Sequence, residues 1–163
     1  MFSLLLVAVI VGIGATAGID AWNAMLKRVF GVGSLDYCLL GRWLGSVPRG
    51  VLRHRSITEV TPLRLECILG WMAHYAIGTG LAMAFVMAVP GWLARPTLTP
   101  ALVYGVATVA FPFFILQPAL GLGVASSATR RPALARVKSL ATHGIYGLGL
   151  YVWAWIVTRV VHS

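Results

Sequence analysis

The sequence is poor in charge, and this limits what the protein can be. Only 10% of its 163 residues are charged, and only 4 of these are acidic. The chain has no nucleophile elbow, no zinc-protease helix, no phosphate-cradling loop and no paired catalytic carboxylates, so none of these enzyme classes is indicated. What is present instead is a content of 59% hydrophobic residues. This excludes an ordinary soluble domain and favours a multispan membrane protein.

Four long apolar stretches occupy residues 2–26, 62–93, 99–126 and 133–160. About 20 apolar residues in a helix cross roughly 30 Å of hydrocarbon, so each stretch is long enough to span a bilayer. Residues 4–13 and 81–89 are apolar at every position, whereas barrel strands alternate apolar and polar residues. We therefore predict one all-α domain over residues 1–163, a membrane-spanning four-helix bundle.

The basic residues lie mostly on one side of these spans. The first connection contains Lys27, Arg28, Arg42, Arg49, Arg53, Arg55 and Arg64, and the third contains Arg130, Arg131, Arg136 and Lys138. The opposite side has only Arg95 and Arg159. By the positive-inside rule we expect both basic connections in the cytoplasm and both termini in the periplasm of a bacterial inner membrane. Because the basic residues flank apolar spans, nucleic acid is not an expected partner.

The apolar run at the N-terminus also has some features of a secretory signal. Ala15-Thr16-Ala17 resembles a small-residue cleavage site. A signal peptide begins with a basic region, however, and no basic residue precedes this run. We therefore expect the first span to be retained.

The first connection is apolar enough to form a short helix between spans one and two. Its apolar side consists of Leu39, Leu40, Trp43 and Leu44. Ser34 is placed to cap this helix, and Gly45 and Pro48 mark its end. We predict that the helix lies on the cytoplasmic leaflet, where residues 49–55 contact anionic lipid headgroups. The alternative is a docking surface for a soluble partner.

The chain has two cysteines, Cys38 and Cys67. Their spacing matches no metal-binding motif. Both fall on the predicted cytoplasmic side, where thiols stay reduced. We expect two free thiols without a chemical role.

Four polar side chains interrupt the apolar stretches: Asp20, His74, Gln117 and His143. With a helical rise of about 1.5 Å per residue, all four fall in the inner half of the bilayer. A carboxylate there costs on the order of 2.5–3.5 kcal/mol, so we expect Asp20 to face the bundle interior and to pair with a histidine. The alternative is that all four are polar contacts between helices, worth roughly 0.6 kcal/mol each.

Prolines and glycines modify the same helices. Pro112 and Pro118 interrupt the third span, and a broken helix of this kind often lines a cavity, although a simple kink is the alternative. The second span contains His74-x-x-x-Gly78-x-Gly80 and the fourth contains His143-x-x-x-Gly147-x-Gly149. This repeat is typical of two hairpins related by a pseudo-twofold axis, although glycines are common enough in membrane helices for it to arise by chance.

A set of short motifs runs along nearly the whole chain. They are Gly14-Ala-Thr-Ala-Gly-Ile-Asp20, Ser34-Leu-Asp-Tyr37, Gly41-Arg-Trp-Leu-Gly45, Gly70-Trp-Met-Ala-His74-Tyr75, Pro112-Phe-Phe, Gln117-Pro-Ala-Leu-Gly121-Leu-Gly123 and Thr142-His143. With these motifs the chain resembles a small bacterial family, the domain of unknown function twenty-nine thirty-eight. The resemblance implies a four-helix inner-membrane protein and implies no activity, substrate or cofactor.

Several functions fit these observations. We predict that Asp20, His74, Gln117 and His143 bind or move a small ligand, an ion or protons, without catalysis, and a transporter this small would need a homodimer. In one alternative, His74 and His143 ligate a haem or a metal ion. The others are an enzyme acting on membrane lipid, with Asp20 and a histidine as general base, and an accessory subunit that docks a partner through its first connection. Membrane lipids are the expected surroundings in every case.

Overall fold

The computed structural model describes residues 2–161, with side chains from residue 4 to residue 160. Its helices are α1 (Phe2–Phe30), α2 (Tyr37–Ser46), α3 (Glu66–Ala88), α4 (Leu98–Ala119) and α5 (Pro132–Val161). No β-strand occurs within residues 2–161, and the predicted all-α class is confirmed. By length and composition, α1, α3, α4 and α5 can each cross a membrane, and the short helix α2 lies between the first two of them in the chain.

The helix starts differ from the sequence-based assignments. α2 is capped by Asp36, whose carboxylate accepts a hydrogen bond from the Cys38 amide at 2.9 Å, and not by Ser34. α3 begins at Glu66, four residues after the start of the predicted stretch 62–93. The physical reason is that Leu65 has a left-handed φ of 67°, which a right-handed helix does not include. The Glu66 carboxylate accepts the Leu63 amide at 2.7 Å and so holds the turn before the helix.

α4 is not a uniform helix. Residues Leu98–Ala107 are α-helical, a turn follows at Thr108 and Val109, and the segment Pro112–Leu116 forms a π-helical turn that passes into Gln117–Ala119. Pro112 opens the π-helical turn, where its missing amide hydrogen costs no helix hydrogen bond. The predicted interruption of the third span is therefore present, in the form of a π-bulge.

The chain forms two compact units. The first contains α1, the stretch Tyr75–Thr108 and the part of α5 from Leu140 onward. Small residues let its helices approach closely: a Cβ atom on Gly12 would lie 2.7 Å from the Thr79 Cα, and one on Gly149 would lie 2.8 Å from the Ala15 Cα. Its core is completed by larger buried side chains such as Phe85.

The second unit contains Ser34–His74 and Val109–Ser139. Its core consists of Leu40, Ile57, Leu116 and Leu120. The first connection is anchored within this unit, because the His54 amide donates to the Ala119 carbonyl at 2.8 Å and the Ile57 amide donates to the Leu120 carbonyl at 3.1 Å. The segment after α2 is therefore fixed against the end of α4.

Candidate functional site

His143 is oriented by a close approach of α4 and α5 in the first unit. Gly105 and Gly147 meet backbone to backbone, and a Cβ atom on Gly147 would lie 2.6 Å from the Ala101 carbonyl oxygen. This contact places Thr108, which is buried, beside His143, with 2.7 Å between the Thr108 Oγ1 and the His143 Nδ1.

The same hydrogen bonds define the tautomer of His143. The Thr108 hydroxyl donates to the Gly105 carbonyl at 2.5 Å, so its single proton is already used. The Thr108 oxygen must therefore accept, and Nδ1 of His143 must donate. This leaves Nε2 as the basic nitrogen, able to take a proton or to ligate a metal ion, and no described residue hydrogen-bonds to it.

Asp20 also has a partner in the first unit. The Tyr75 hydroxyl donates to its Oδ2 atom at 2.8 Å, and the pair is partly buried. A phenol hydroxyl that donates to a carboxylate supplies one of the hydrogen bonds that a buried acid needs. Sequence analysis did not identify Tyr75 as this partner, although it directly follows His74.

His74 and Gln117 lie in the second unit. The His74 ring stacks on the Tyr37 ring, with 3.9 Å between centroids and an angle of 21° between planes. The Gln117 amide donates to the Ser139 hydroxyl at 3.3 Å, while its buried Oε1 atom has no hydrogen-bond partner among the described residues. An unsatisfied buried acceptor is uncommon, and here it directly follows the π-helical turn.

The predicted set of four is thus divided between the units, with Asp20 and His143 in the first and His74 and Gln117 in the second. A pairing of Asp20 with a histidine stays a prediction. Within residues 4–160, no three His, Cys, Asp or Glu side chains are grouped as metal ligands.

Sequence analysis missed the contact between α2 and α3 in the second unit. Cys38 and Cys67 are joined by a disulfide bond, so the expectation of two free thiols is wrong. The physical reason is the close crossing of these helices, which brings the two Cα atoms to 3.9 Å. A signal was available, because each cysteine is followed three residues later by a glycine, Gly41 in α2 and Gly70 in α3.

A buried ion pair lies at the same crossing. Arg42 donates to the two carboxylate oxygens of Glu66 at 2.8 and 2.7 Å, and both side chains are 9% exposed. Arg42 also donates to the carbonyls of Ile57 and Val60 at 3.2 and 2.9 Å. The hydrogen bonds with Glu66 raise the pKa of the Arg42 guanidinium above its usual value. Arg42 of α2 therefore joins three segments of this unit.

Comparison with known proteins identifies a family without an assigned activity. Residues 9–157 match the family described as "Protein of unknown function (DUF2938)". No curated protein and no solved structure matches the chain. Because the matched segment covers all but the ends of the chain, the resemblance based on the short motifs is confirmed, and this protein belongs to the DUF2938 family.

Proposed function

We propose that this chain is a multipass protein of a bacterial inner membrane that binds or moves a small ligand, an ion or protons through polar groups inside its helices. The observation that carries the proposal is the orientation of His143. Its Nδ1 donates to Thr108, so Nε2 is available as a base or a ligand. Packing of apolar helices does not require an imidazole whose tautomer is fixed in this way.

Asp20 gives the proposal a second ionisable group in the same unit. A carboxylate within an apolar helix is costly, and intramembrane acids and histidines often form proton or ion pathways. Tyr75 compensates part of this cost by donating to Asp20. His74 and Gln117 stay predicted ligand-binding residues, and Gln117 offers an amide oxygen without a described partner.

The test uses protein reconstituted into liposomes that contain a pH-sensitive dye. After an external acid pulse, we expect the wild-type protein to speed acidification of the lumen, and Asp20→Asn and His143→Ala to lose most of this effect. Tyr146→Phe is the matched control, because it removes a buried hydroxyl that donates to the Gly78 carbonyl at 2.6 Å in the same unit. Native mass spectrometry of the wild-type protein detects a ligand that is retained through purification. The proposal fails if there is neither flux nor a retained ligand, or if the control loses as much as the two variants.

A bound haem or metal ion is the second candidate, and the same geometry favours it. A histidine that donates through Nδ1 presents Nε2 in the form that ligates metals. Here the Nε2 atom of His143 would supply one ligand. Purified protein should then show a Soret band or stoichiometric metal, lost in His143→Ala, and a colourless, metal-free wild-type preparation would exclude this candidate.

The orientation proposed with this function places both basic connections in the cytoplasm. It rests on the unequal distribution of Lys and Arg and on Lys27 and Arg28 in the last turn of α1. Exposed Arg49, Arg53 and Arg55 are then available to anionic lipid headgroups.

A further inference from the structure

The crossing of α2 and α3 is built from the same four-residue pattern on both helices. In each helix a glycine lies three positions after a cysteine: Gly41 after Cys38 in α2, and Gly70 after Cys67 in α3. A Cβ atom on Gly41 would collide with the Glu66 carbonyl, and one on Gly70 would collide with the Tyr37 carbonyl. The contact is thus reciprocal, since each glycine packs on the residue that precedes the opposite cysteine.

Contacts other than the disulfide bond also hold this crossing. The two glycines give close backbone contact, and the Arg42–Glu66 pair joins the helices with two hydrogen bonds. Arg42 further attaches to Val60 and Glu66 attaches to Leu63. When the bond between the sulfurs is broken, these contacts keep the two thiols adjacent. Their effective concentration for closing the bond again is therefore high.

The two cysteines differ in exposure. Cys67 is exposed, whereas Cys38 is half-buried. Each cysteine is the second residue of its helix, where the partial positive charge of the helix N-terminus favours a thiolate, although at Cys38 the Asp36 carboxylate offsets part of this charge. An incoming thiol therefore reaches Cys67 first, and Cys38 is placed to leave as a thiolate.

We propose that Cys38 and Cys67 form a reversible dithiol–disulfide couple that exchanges with an anionic low-molecular-weight thiol of the glutathione class. The anionic class is chosen because Arg64, three residues before Cys67, is exposed, as are Arg53 and Arg55 of the same connection. The inference is independent of the proposed ligand site. It gains support from the proposed orientation, because disulfides in the reducing cytoplasm are mostly transient or redox-sensing.

The exchange proceeds in two balanced steps. A thiolate attacks the Sγ atom of Cys67, the bond between the sulfurs breaks, and its electron pair remains on Cys38, which takes a proton from water. A second thiolate then attacks the sulfur of the bound thiol, forms the external disulfide and releases Cys67 as a thiolate, which takes a second proton from water. In total the protein gains two electrons and two protons, and two external thiols are oxidised to one disulfide.

The test uses the full chain in lipid nanodiscs, equilibrated at a series of ratios of reduced to oxidised glutathione. After acid quenching, free thiols are labelled with a maleimide and counted by mass spectrometry. We expect one two-electron transition from no free thiol to two, with an unchanged helical circular dichroism spectrum at both ends. The proposal is overturned if thiols appear only after unfolding, or if no disulfide forms at any ratio.

Single variants test the order of attack. Cys38→Ser, which keeps the exposed Cys67, should form a mixed disulfide with oxidised glutathione several-fold faster than Cys67→Ser does. Equal or reversed rates would contradict the assignment of Cys67 as the attacked sulfur. If either variant fails to fold, brief treatment of the wild-type protein followed by peptide mapping gives the same information, since the first mixed disulfide should lie on Cys67.

The charge of the thiol is tested by salt. The reaction with reduced glutathione should slow several-fold between low and high ionic strength, whereas the reaction with neutral 2-mercaptoethanol should change little. A reaction with the same salt dependence for both thiols would remove the anionic assignment.

Discussion

Arg42 is a cation almost enclosed by the second unit, and Glu66 is its counter-ion. A buried charge is tolerated only when it is paired and hydrogen-bonded, and Arg42 meets both conditions through Glu66 and two carbonyls. The pair is therefore expected to contribute to stability mainly through the cost of breaking it. At the residue scale, we therefore expect removal of either partner to destabilise the second unit.

Arg42→Met should strongly destabilise the protein, because it leaves the Glu66 carboxylate buried without its partner. We expect a loss on the order of 3 kcal/mol in the free energy of unfolding, measured by denaturation in detergent. Arg49→Met is the matched control, since Arg49 is exposed, and should change the free energy by less than about 0.5 kcal/mol. Equal effects of the two substitutions would mean that the ion pair contributes no more to the free energy of unfolding than an exposed arginine does.

Thr108→Val should remove the preference of His143 for a single tautomer. In the wild-type protein, nitrogen-15 NMR of labelled histidine should show His143 protonated on Nδ1, because Thr108 accepts that hydrogen bond. In the variant the ring nitrogens should move toward a mixture of tautomers. Thr16→Val serves as control, because the Thr16 hydroxyl donates to the Gly12 carbonyl at 2.7 Å without a described bond to a histidine. A wild-type ring protonated on Nε2 would refute the assignment.

At the scale of elements, the approach of helices through glycine decides which residues meet. In the first unit Gly105 and Gly147 bring Thr108 to His143, and in the second unit Gly41 and Gly70 bring the two cysteines together. Small residues have this effect in membrane helices because they let backbones touch.

Gly41→Ala should separate α2 from α3, because its methyl group would collide with the Glu66 carbonyl. We expect a loss of about 1–3 kcal/mol in the free energy of unfolding and a smaller fraction of disulfide-bonded protein. Gly80→Ala is the control, because nothing lies within 4 Å of a Cβ atom at that position in α3. It should be neutral or stabilising by up to about 1 kcal/mol. Similar losses of stability for both variants would show that the close contact between α2 and α3 at Gly41 is not the cause.

The sequence was sufficient to predict the helices but not the contacts between them. Hydropathy predicted four spans, and the apolar side with Leu40 and Trp43 predicted α2, because both signals are local. The partners of the site residues come from other helices: Thr108 for His143 and Tyr37 for His74. The two histidines share one sequence pattern yet have different surroundings, so pattern alone was unable to distinguish them. The π-helical turn in α4 was foreseen only as an interruption by proline.

At the scale of the whole molecule, the most unequal property is the distribution of positive charge along the chain. Seven of the 13 basic residues lie in the first connection and four in the third, which leaves two for the opposite side. Membership in the DUF2938 family assigns no activity to the chain. The orientation in the membrane is therefore predicted from this distribution of charge, and topology experiments test it.

Reporter fusions should place both termini in the periplasm. We expect alkaline phosphatase fused after Ser163 to be active, and green fluorescent protein inserted in the connection between α4 and α5 to be fluorescent. The reciprocal fusions, with the reporters exchanged, are the controls and should be inactive and dark. The opposite pattern would place the disulfide-bonded crossing of α2 and α3 outside the cytoplasm.

The anchoring of residues 54–57 on the end of α4 has a consequence for any protein that docks there. Amide hydrogens of His54 and Ile57 are engaged, so they should exchange slowly with deuterated solvent although they lie between helices. A protein that binds there would meet a segment that is already ordered, so little binding free energy would be lost to ordering a flexible loop.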